Sequence, residues 1–376
     1  MRVFSCPSLT TYHTCYTLAR TALLIELGGS HDETLYTQLR FLKHAGYYTI
    51  LACDPKVFKK VRDYDCVDLL WECRVGRGFL SDWKAILDLR SQAIEAGVTA
   101  VIFNTAQNEL VRNLCLLPFP KTVRIAGVLH NLRKLEGSFT QRVISRRIKH
   151  YYLLAHYLKD LVPARVRKNF WFEAFYPMYF KKYESLPATS KPADEVWVGI
   201  PGAVEYSRRD YEGIARALAQ LEHKPNICFL LLGNAFHPQG NGPQFSALIK
   251  ELGVENHFRL WNHYVDNPEF HAYVQSCDAL MMAIHPANAD YEDYIKRQIT
   301  GAWNLAFAYQ KPLLLEAGFS KLKDFIDTGI FYSIAELPAF LQKLPELLSS
   351  QPNEPFLGPD WSFEVQAKRY TQFLEG

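Results

Sequence analysis

The sequence has no apolar run approaching the ~20 residues that span a bilayer as a helix. Its opening stretch, MRVFSCPSLTTYHTCYTLAR, lacks the apolar h-region of a secretory signal. These two absences speak against a membrane-spanning or exported chain and lead us to expect a cytoplasmic one. The eight cysteines (Cys6, Cys15, Cys53, Cys66, Cys73, Cys115, Cys228 and Cys277) form no CxxC pair, and no Cys/His cluster has zinc spacing. Reduced, mostly buried thiols are expected, and no bound metal. GxGxxG and the Walker P-loop are both missing, so those two routes to dinucleotide or NTP binding have no support. No low-complexity tract and no repeat of 20–50 residues occurs. An aromatic-interleaved basic recognition motif is also absent, so nucleic acid is not an expected partner.

What is present is an ordinary globular composition in a long chain. Apolar residues make up 48% of the 376 and charged residues 22%, too much chain for a single core and enough for two domains. The net charge of +3 conceals an asymmetry. Residues 1–187 carry 27 Lys and Arg against 16 Asp and Glu, a balance of +11. The remainder carries 15 against 23, a balance of −8. Two bodies with different partners fit this split, the basic one suited to phosphates or an anionic lipid surface.

Apolar strands alternate with helical periodicity along the chain. Thr21–Leu27 (TALLIEL) reads as a buried strand, followed by Gly28-Gly29 and by Ser30 and Glu33 at capping-box spacing, which predicts a helix start there. Further strands are predicted at Tyr48–Ala52, Val98–Asn104, Thr122–Leu129 and Tyr151–His156. Residues 181–195, rich in Pro, Ser and Lys, read as a linker. A second series follows with strands at Val196–Ile200, Ile227–Leu232, Phe258–Trp261, Ala279–Ala283 and Pro312–Leu315, separated by helices at Tyr211–Gln220, Phe245–Leu252, Pro268–Ser276 and Thr300–Tyr309. The alternation predicts an α/β protein made of two Rossmann-like, doubly wound domains. Their expected extents are 1–180 and 196–355, with a last amphipathic helix in 356–376 set off by Pro-rich residues 352–359.

Open α/β sheets bind ligands beyond the carboxyl ends of their strands, so chemistry is sought there. In the first domain these positions are Gly28, Gly29, Ser30, His31, Asn104 and His130. Gly28-Gly29 either lines a ligand or is a plain tight turn ahead of a capped helix. In the second domain Gly202, Glu205, Gly233, Asn234, Tyr264 and His285 follow strands. Arg208-Arg209 sits where the next helix begins, and two guanidiniums there suit a diphosphate whose charge grows as it departs. A solvated pair balanced by Glu205, Asp210 and Glu212 is the alternative. His130 and His285 each serve as a proton carrier or sugar contact, or as a satisfied structural histidine. Thr300 and Gly301 offer free N–H groups at a helix start, and Gln298 and Asn304 offer neutral hydrogen bonds suited to hydroxyls or phosphate; an ordinary helix cap is the competing reading. Arg142, Arg146, Arg147 and Lys149, set among apolar residues in RVISRRIKHYY, make either a peripheral contact with an anionic membrane or a solvated helix face.

Four stretches together resemble the GT-B glycosyltransferases, specifically the retaining group 1 (family 4 type) that shares its donor domain with glycogen synthase. LIELGGSHDETLYTQLRFLKHAGYYTILAC is similar to that family's opening strand, glycine loop and helix, and GIPGAVEYSRRDYEGIARAL to the start of its donor domain. LLLGN with FRLWNHYVDNPEFHAYVQSCDALMMAIHP resembles its base-binding run, QITGAWNLAFAYQKPLLL its donor-gripping helix, and the closing WSFEVQAKRYTQFL its crossover helix. The resemblance spans nearly the whole chain and implies that the two domains face each other across a cleft. It implies a nucleotide-sugar co-substrate held by the second domain, a glycan or lipid-linked acceptor on the first, and no cofactor or metal, with Arg208 and Arg209 in the cation's place and His130 touching sugar or acceptor. Transfer would serve polysaccharide or cell-surface glycan synthesis. One departure stands out. The family's paired glutamates correspond to positions near Arg297 or Gln298 and near Asn304 or Leu305, and neither place holds a carboxylate. An epimerase acting on nucleotide-sugars, or an inactive binding protein of the same fold, are the alternatives. A glycan phosphorylase would need a pyridoxal-phosphate lysine that no motif nominates.

Overall fold

The computed structural model describes residues 20–183, 185–326, 328–350 and 358–376. Cys6, Cys15, the opening stretch and most of the Pro-rich segment 352–359 lie outside them. The chain divides into two compact units: one runs to Lys181 and includes Pro359–Gly376, and the other is Lys182–Gly358.

The first unit holds seven strands: β1 Thr21–Glu26, β2 Tyr48–Cys53, β3 Leu69–Glu72, β4 Ala100–Phe103, β5 Arg124–Leu129, β6 His150–Leu153 and β7 Trp171–Ala174. Their order is β3-β2-β1-β4-β5-β6-β7 and every pairing is parallel. β1 and β4 are buried at every position, which is why they read as unbroken apolar runs with no alternation. The helix Phe363–Glu375 packs on this unit, with Tyr370 fully buried and stacked on Tyr152 at 4.2 Å. The Tyr370 hydroxyl donates to Gln38 Oε1 at 2.9 Å, and the Tyr152 hydroxyl donates to the Tyr370 carbonyl at 2.6 Å.

The second unit holds β8 Val196–Pro201, β9 Ile227–Asn234, β10 Phe258–Trp261, β11 Ala279–Met281, β12 Leu313–Glu316 and β13 Gly329–Tyr332. They pair in parallel in the order β10-β9-β8-β11-β12-β13. Its core joins the inner faces of these strands to Ile214 and Leu218 of one helix and to Leu341 and Leu344 of another.

Two Rossmann-like units therefore make up the protein. Strands β3, β7 and β13 lay outside the sequence expectations. All three are short edge strands with at most one buried residue, too little apolar signal to stand out. All six cysteines among the described residues are free and buried. Burial pushes the Cys66, Cys73, Cys115, Cys228 and Cys277 thiols up to about 12, so they remain protonated and inert. Among the described residues no helix is long and apolar enough to cross a membrane.

Candidate functional site

Strand order reverses between β1 and β4 in the first sheet and between β8 and β11 in the second, and the carboxyl ends at such switch points are where open α/β sheets take ligands.

In the first unit β1 ends in Glu26, a carboxylate only 1% exposed. One of its oxygens accepts the Gly28 N–H at 2.6 Å. The other accepts the Asn104 amide at 2.7 Å and the Thr105 hydroxyl at 2.6 Å. Burial raises the Glu26 carboxyl above its usual range, against the pull of these hydrogen bonds. Asn104 also donates to the His31 carbonyl at 2.9 Å, and its amide oxygen accepts the Thr34 hydroxyl and the Gln38 amide, both at 2.6 Å. A Cβ on Gly28 would stand 2.9 Å from a Glu26 oxygen, so a side chain there would push that carboxylate aside. His31 occupies the left-handed region at φ 66°, unusual for a side chain of its size, and the Asn104 bond to its carbonyl helps hold it there.

The His31 ring lies 3.8 Å from that of His130, tilted by 31°, and its Nδ1 is 3.3 Å from Glu33 Oε1. His130 Nε2 meets the Asn104 carbonyl at 2.8 Å. A carbonyl can only accept, so Nε2 carries the proton and Nδ1 keeps a lone pair. Burial, with the nearby His31 charge, lowers the His130 pKa to about 4 and leaves the ring neutral near pH 7. The structure thus assembles Gly28, His31 and His130 around Glu26 and Asn104, while Gly29 lies beside the Lys56 side chain. Ser30 is exposed and caps nothing. A 3-10 turn, Asp32–Thr34, precedes the helix Leu35–His44, and Glu33 faces His31, so the expected capping box does not form.

His31, Glu33 and His130 each bring one potential metal-ligand atom within 4.8 Å of the others. Two imidazoles and a carboxylate are suitable donors.

In the second unit the tips of β8 and β9 meet backbone to backbone. A Cβ on Gly233 would stand 2.4 Å from the Gly202 carbonyl oxygen. Gly202 itself has φ 107° and lies against the Arg209 guanidinium, whose Nη2 is 3.0 Å from where a Cβ would be. Arg209 is 6% exposed. Its Nε has no hydrogen-bond partner, and it forms no ion pair among the described residues. Its close neighbour is the neutral Tyr211 hydroxyl. Arg208 differs: it is exposed, 3.8 Å from Glu205 and 3.4 Å from the Tyr294 hydroxyl. The expected basic pair therefore consists of one buried cation and one at the surface.

His285, expected among the donor contacts, is committed elsewhere. It is 1% exposed; Nδ1 meets Asp210 Oδ2 at 2.7 Å and Nε2 meets the Tyr332 hydroxyl at 2.8 Å. Asp210 also caps the helix Tyr211–Ala219 by accepting the Gly213 N–H at 2.8 Å. Burial opposes ionisation of Asp210, but the hydrogen bonds from His285 and Gly213 hold its carboxyl below the usual range. His285 therefore positions the Arg208–Asp210 segment. Ala283, at φ 52°, accepts the Asp210 N–H at 2.8 Å and so ties β11 to that segment.

Thr300 caps the helix Gly301–Tyr309, accepting the Ala302 N–H at 3.1 Å, and nothing would crowd a Cβ on Gly301. Asn304 is 3% exposed with Oδ1 unpartnered, while Gln298 is half-buried. The Asn234 side chain accepts the Phe236 N–H at 3.1 Å, a local turn. Tyr264 is 64% exposed on the loop after β10, two strands from β8.

Sequence reasoning passed over Glu26, Thr105, Tyr291, Tyr332 and Glu316. Two of these share a local signal. Glu26 and Glu316 each end an apolar strand in a Glu-X-Gly run, and each carboxylate accepts the N–H of that glycine, at 2.6 and 2.8 Å. The Tyr291 hydroxyl donates to Glu316 at 2.5 Å.

No protein-family model matches the sequence, and no curated protein matches it. Solved structures do match its fold. Anabaena HepE, solved in complex with UDP, is 13% identical with a TM-score of 0.59, over 94% of this chain and 94% of that one. Sucrose-phosphate synthase from Thermosynechococcus elongatus is 13% identical with a TM-score of 0.60, over 95% and 94%. UDP-GlcNAc 2-epimerase from Neisseria meningitidis, bound to UDP-GlcNAc, is 10% identical with a TM-score of 0.58, over 94% and 99%. The fold is that of the GT-B proteins.

Proposed function

We propose that this chain is a glycosyltransferase taking its sugar from a nucleotide-sugar held at the β8–β11 tips of the second unit, without a metal ion. One observation carries the reading: the buried Arg209 guanidinium, pressed against the Gly202 turn without a carboxylate counter-charge among the described residues. A buried cation without a counter-charge is costly, and a diphosphate at that turn would offset the cost. In the reaction, negative charge grows on the departing nucleoside diphosphate as the anomeric C–O bond breaks, and Arg209 meets it inside a preorganised, low-dielectric turn. Arg208, freed from its long contact with Glu205, reaches the same phosphates from the surface. The N–H groups at Thr300–Gly301 and the Asn304 amide supply neutral contacts to phosphate or sugar. Retention of anomeric configuration belongs to this reading through the likeness to the retaining group. So does an acceptor, glycan or lipid-linked, at the β1–β4–β5 tips of the first unit, where neutral His130 has a free Nδ1 to receive a hydroxyl proton. HepE and sucrose-phosphate synthase support the choice of transfer. The test is a thermal-shift screen of UDP-, GDP- and dTDP-sugars followed by acceptor assays. Stabilisation by none of them would remove the proposal.

Epimerisation is the second reading. UDP-GlcNAc 2-epimerases share the fold at similar TM-scores, and this chain has no carboxylate at the positions of the family's paired glutamates. Incubation with a labelled nucleotide-sugar separates the two: a labelled glycan supports transfer, and an epimeric nucleotide-sugar without any acceptor supports the alternative.

A further inference from the structure

The first unit has a second polar feature, apart from the β1–β4–β5 tips. A pocket of about 580 Å³ is lined by Lys134, Arg142, Arg146, Lys149 and Lys168, and no carboxylate lines it. These cations come from four separate places in the fold. Lys134 lies on the turn Leu132–Glu136, Arg142 and Arg146 on the helix Phe139–Arg147, Lys149 just before β6, and Lys168 after the helix Ala164–Arg167. Arg142 and Arg146 stand four residues apart on one helix face, where like charges repel and a carboxylate would be the stabilising choice. Among the described residues, Lys134, Arg142, Arg146 and Lys168 form no ion pair. Lys149 is fixed: its Nζ donates to the Ser145 carbonyl at 2.8 Å and lies 5.0 Å above the Phe170 ring. Arg147, expected to act with this group, instead turns to the Phe119 carbonyl at 3.1 Å and does not line the pocket.

Folding alone does not explain five like charges brought together without a counter-ion, since mixed signs would serve packing better. We propose that this pocket binds a phosphate group carrying two or more negative charges. Its concave form and several converging donors suit a compact anion. A nucleic-acid strand fits less well: Phe170 is the aromatic residue that lines the pocket, and its face is covered by Lys149. Phe139 and Trp171, exposed at 73% and 59%, lie within two residues of pocket-lining Gln141 and Phe170 and suit a lipid interface if the phosphate belongs to a headgroup. The proposal stands independently of sugar transfer by the second unit.

The test uses the full chain at about 0.1 M salt, where charges are screened beyond ~10 Å. Inorganic pyrophosphate is titrated by calorimetry into Arg209→Ala, so that binding near Arg209 is not counted. We expect one site there, weakened at least ~10-fold when Arg142→Gln/Arg146→Gln is added, with equal thermal midpoints. In a second arm the chain is sedimented with phosphatidylcholine vesicles, with and without phosphatidic acid. Capture by the acidic vesicles alone, lost in the double variant, assigns the phosphate to a lipid; pyrophosphate binding without capture assigns it to a free molecule. The proposal is overturned if neither probe binds, if the double variant binds both as the parent does, or if poly(U) binds more tightly than either.

Discussion

The two sets of strand tips solve the same problem differently. At the β1–β4–β5 tips the buried charge is an anion, Glu26, and it is satisfied from within by Gly28, Asn104 and Thr105. At the β8–β11 tips the buried charge is a cation, Arg209, whose Nε is unpartnered and which pairs with no carboxylate among the described residues. A closed network holds a loop in one shape, even with His31 at a disfavoured backbone angle; an open one leaves electrostatic energy to be gained from a ligand. The first arrangement fixes geometry, and under the proposed function the second serves binding.

Arg209→Ala offers the sharpest way to break this contrast. It should lower the transfer rate ~10²–10³-fold while leaving the unfolding midpoint equal or higher, because it removes an uncompensated buried charge. A normal rate, or a clear loss of stability, would place Arg209 with Glu26 as a structural residue. Glu26→Ala should do the opposite in kind, costing roughly 2–5 kcal/mol in urea unfolding by leaving three donors unmatched. A stable Glu26→Ala variant would end the contrast from the other side.

Ligand response sharpens it further. A saturating nucleoside diphosphate at ~100 times its Kd should stabilise the parent by about 2.7 kcal/mol. The gain should vanish in Arg209→Ala and persist in an otherwise folded His130→Gln variant.

A smaller effect concerns pH, and both units share it. Burial lowers the pKa of His130 in the first unit and of His271 in the second to about 4. Below the unfolded value of ~6.5 the unfolded chain binds protons that these folded rings refuse, so stability falls as pH drops from about 6.5 towards 4 and is unaffected above that window. His271→Gln should flatten the decline in thermal midpoint between pH 7 and 5, and an identical slope would show that the ring titrates normally. Chelator should have the least effect of all, leaving turnover unchanged; strict dependence on a divalent ion would instead turn attention to His31, Glu33 and His130.

Much of the architecture was legible in the sequence. β1, β4, β8, β9 and β12 are buried through most or all of their length, so TALLIE, AVIF, VWVGIP, ICFLLLGN and LLLE announce themselves as apolar runs bounded by Gly, Asn or Pro. Gly202 and Gly233 were legible as strand-end glycines; the Ser30–Glu33 spacing was legible but misleading, since Glu33 found a closer partner in His31. Edge strands β3, β7 and β13 were hidden by their mixed exposure, and Glu26 and Glu316 because a carboxylate ending an apolar run reads as the start of a polar loop.

The sequence by itself determined the alternation of apolar runs and helices, and with it parallel sheets in two bodies, because burial of both strand faces demands continuous hydrophobicity. It also determined the opposite charge of the two halves. Only the tertiary structure decided which of two adjacent arginines is buried, that His285 is spent on Asp210 and Tyr332, and that five scattered cations share one pocket. Each of these depends on residues far apart in the chain, and a side chain's solvation and partners exist only once those residues have been brought together.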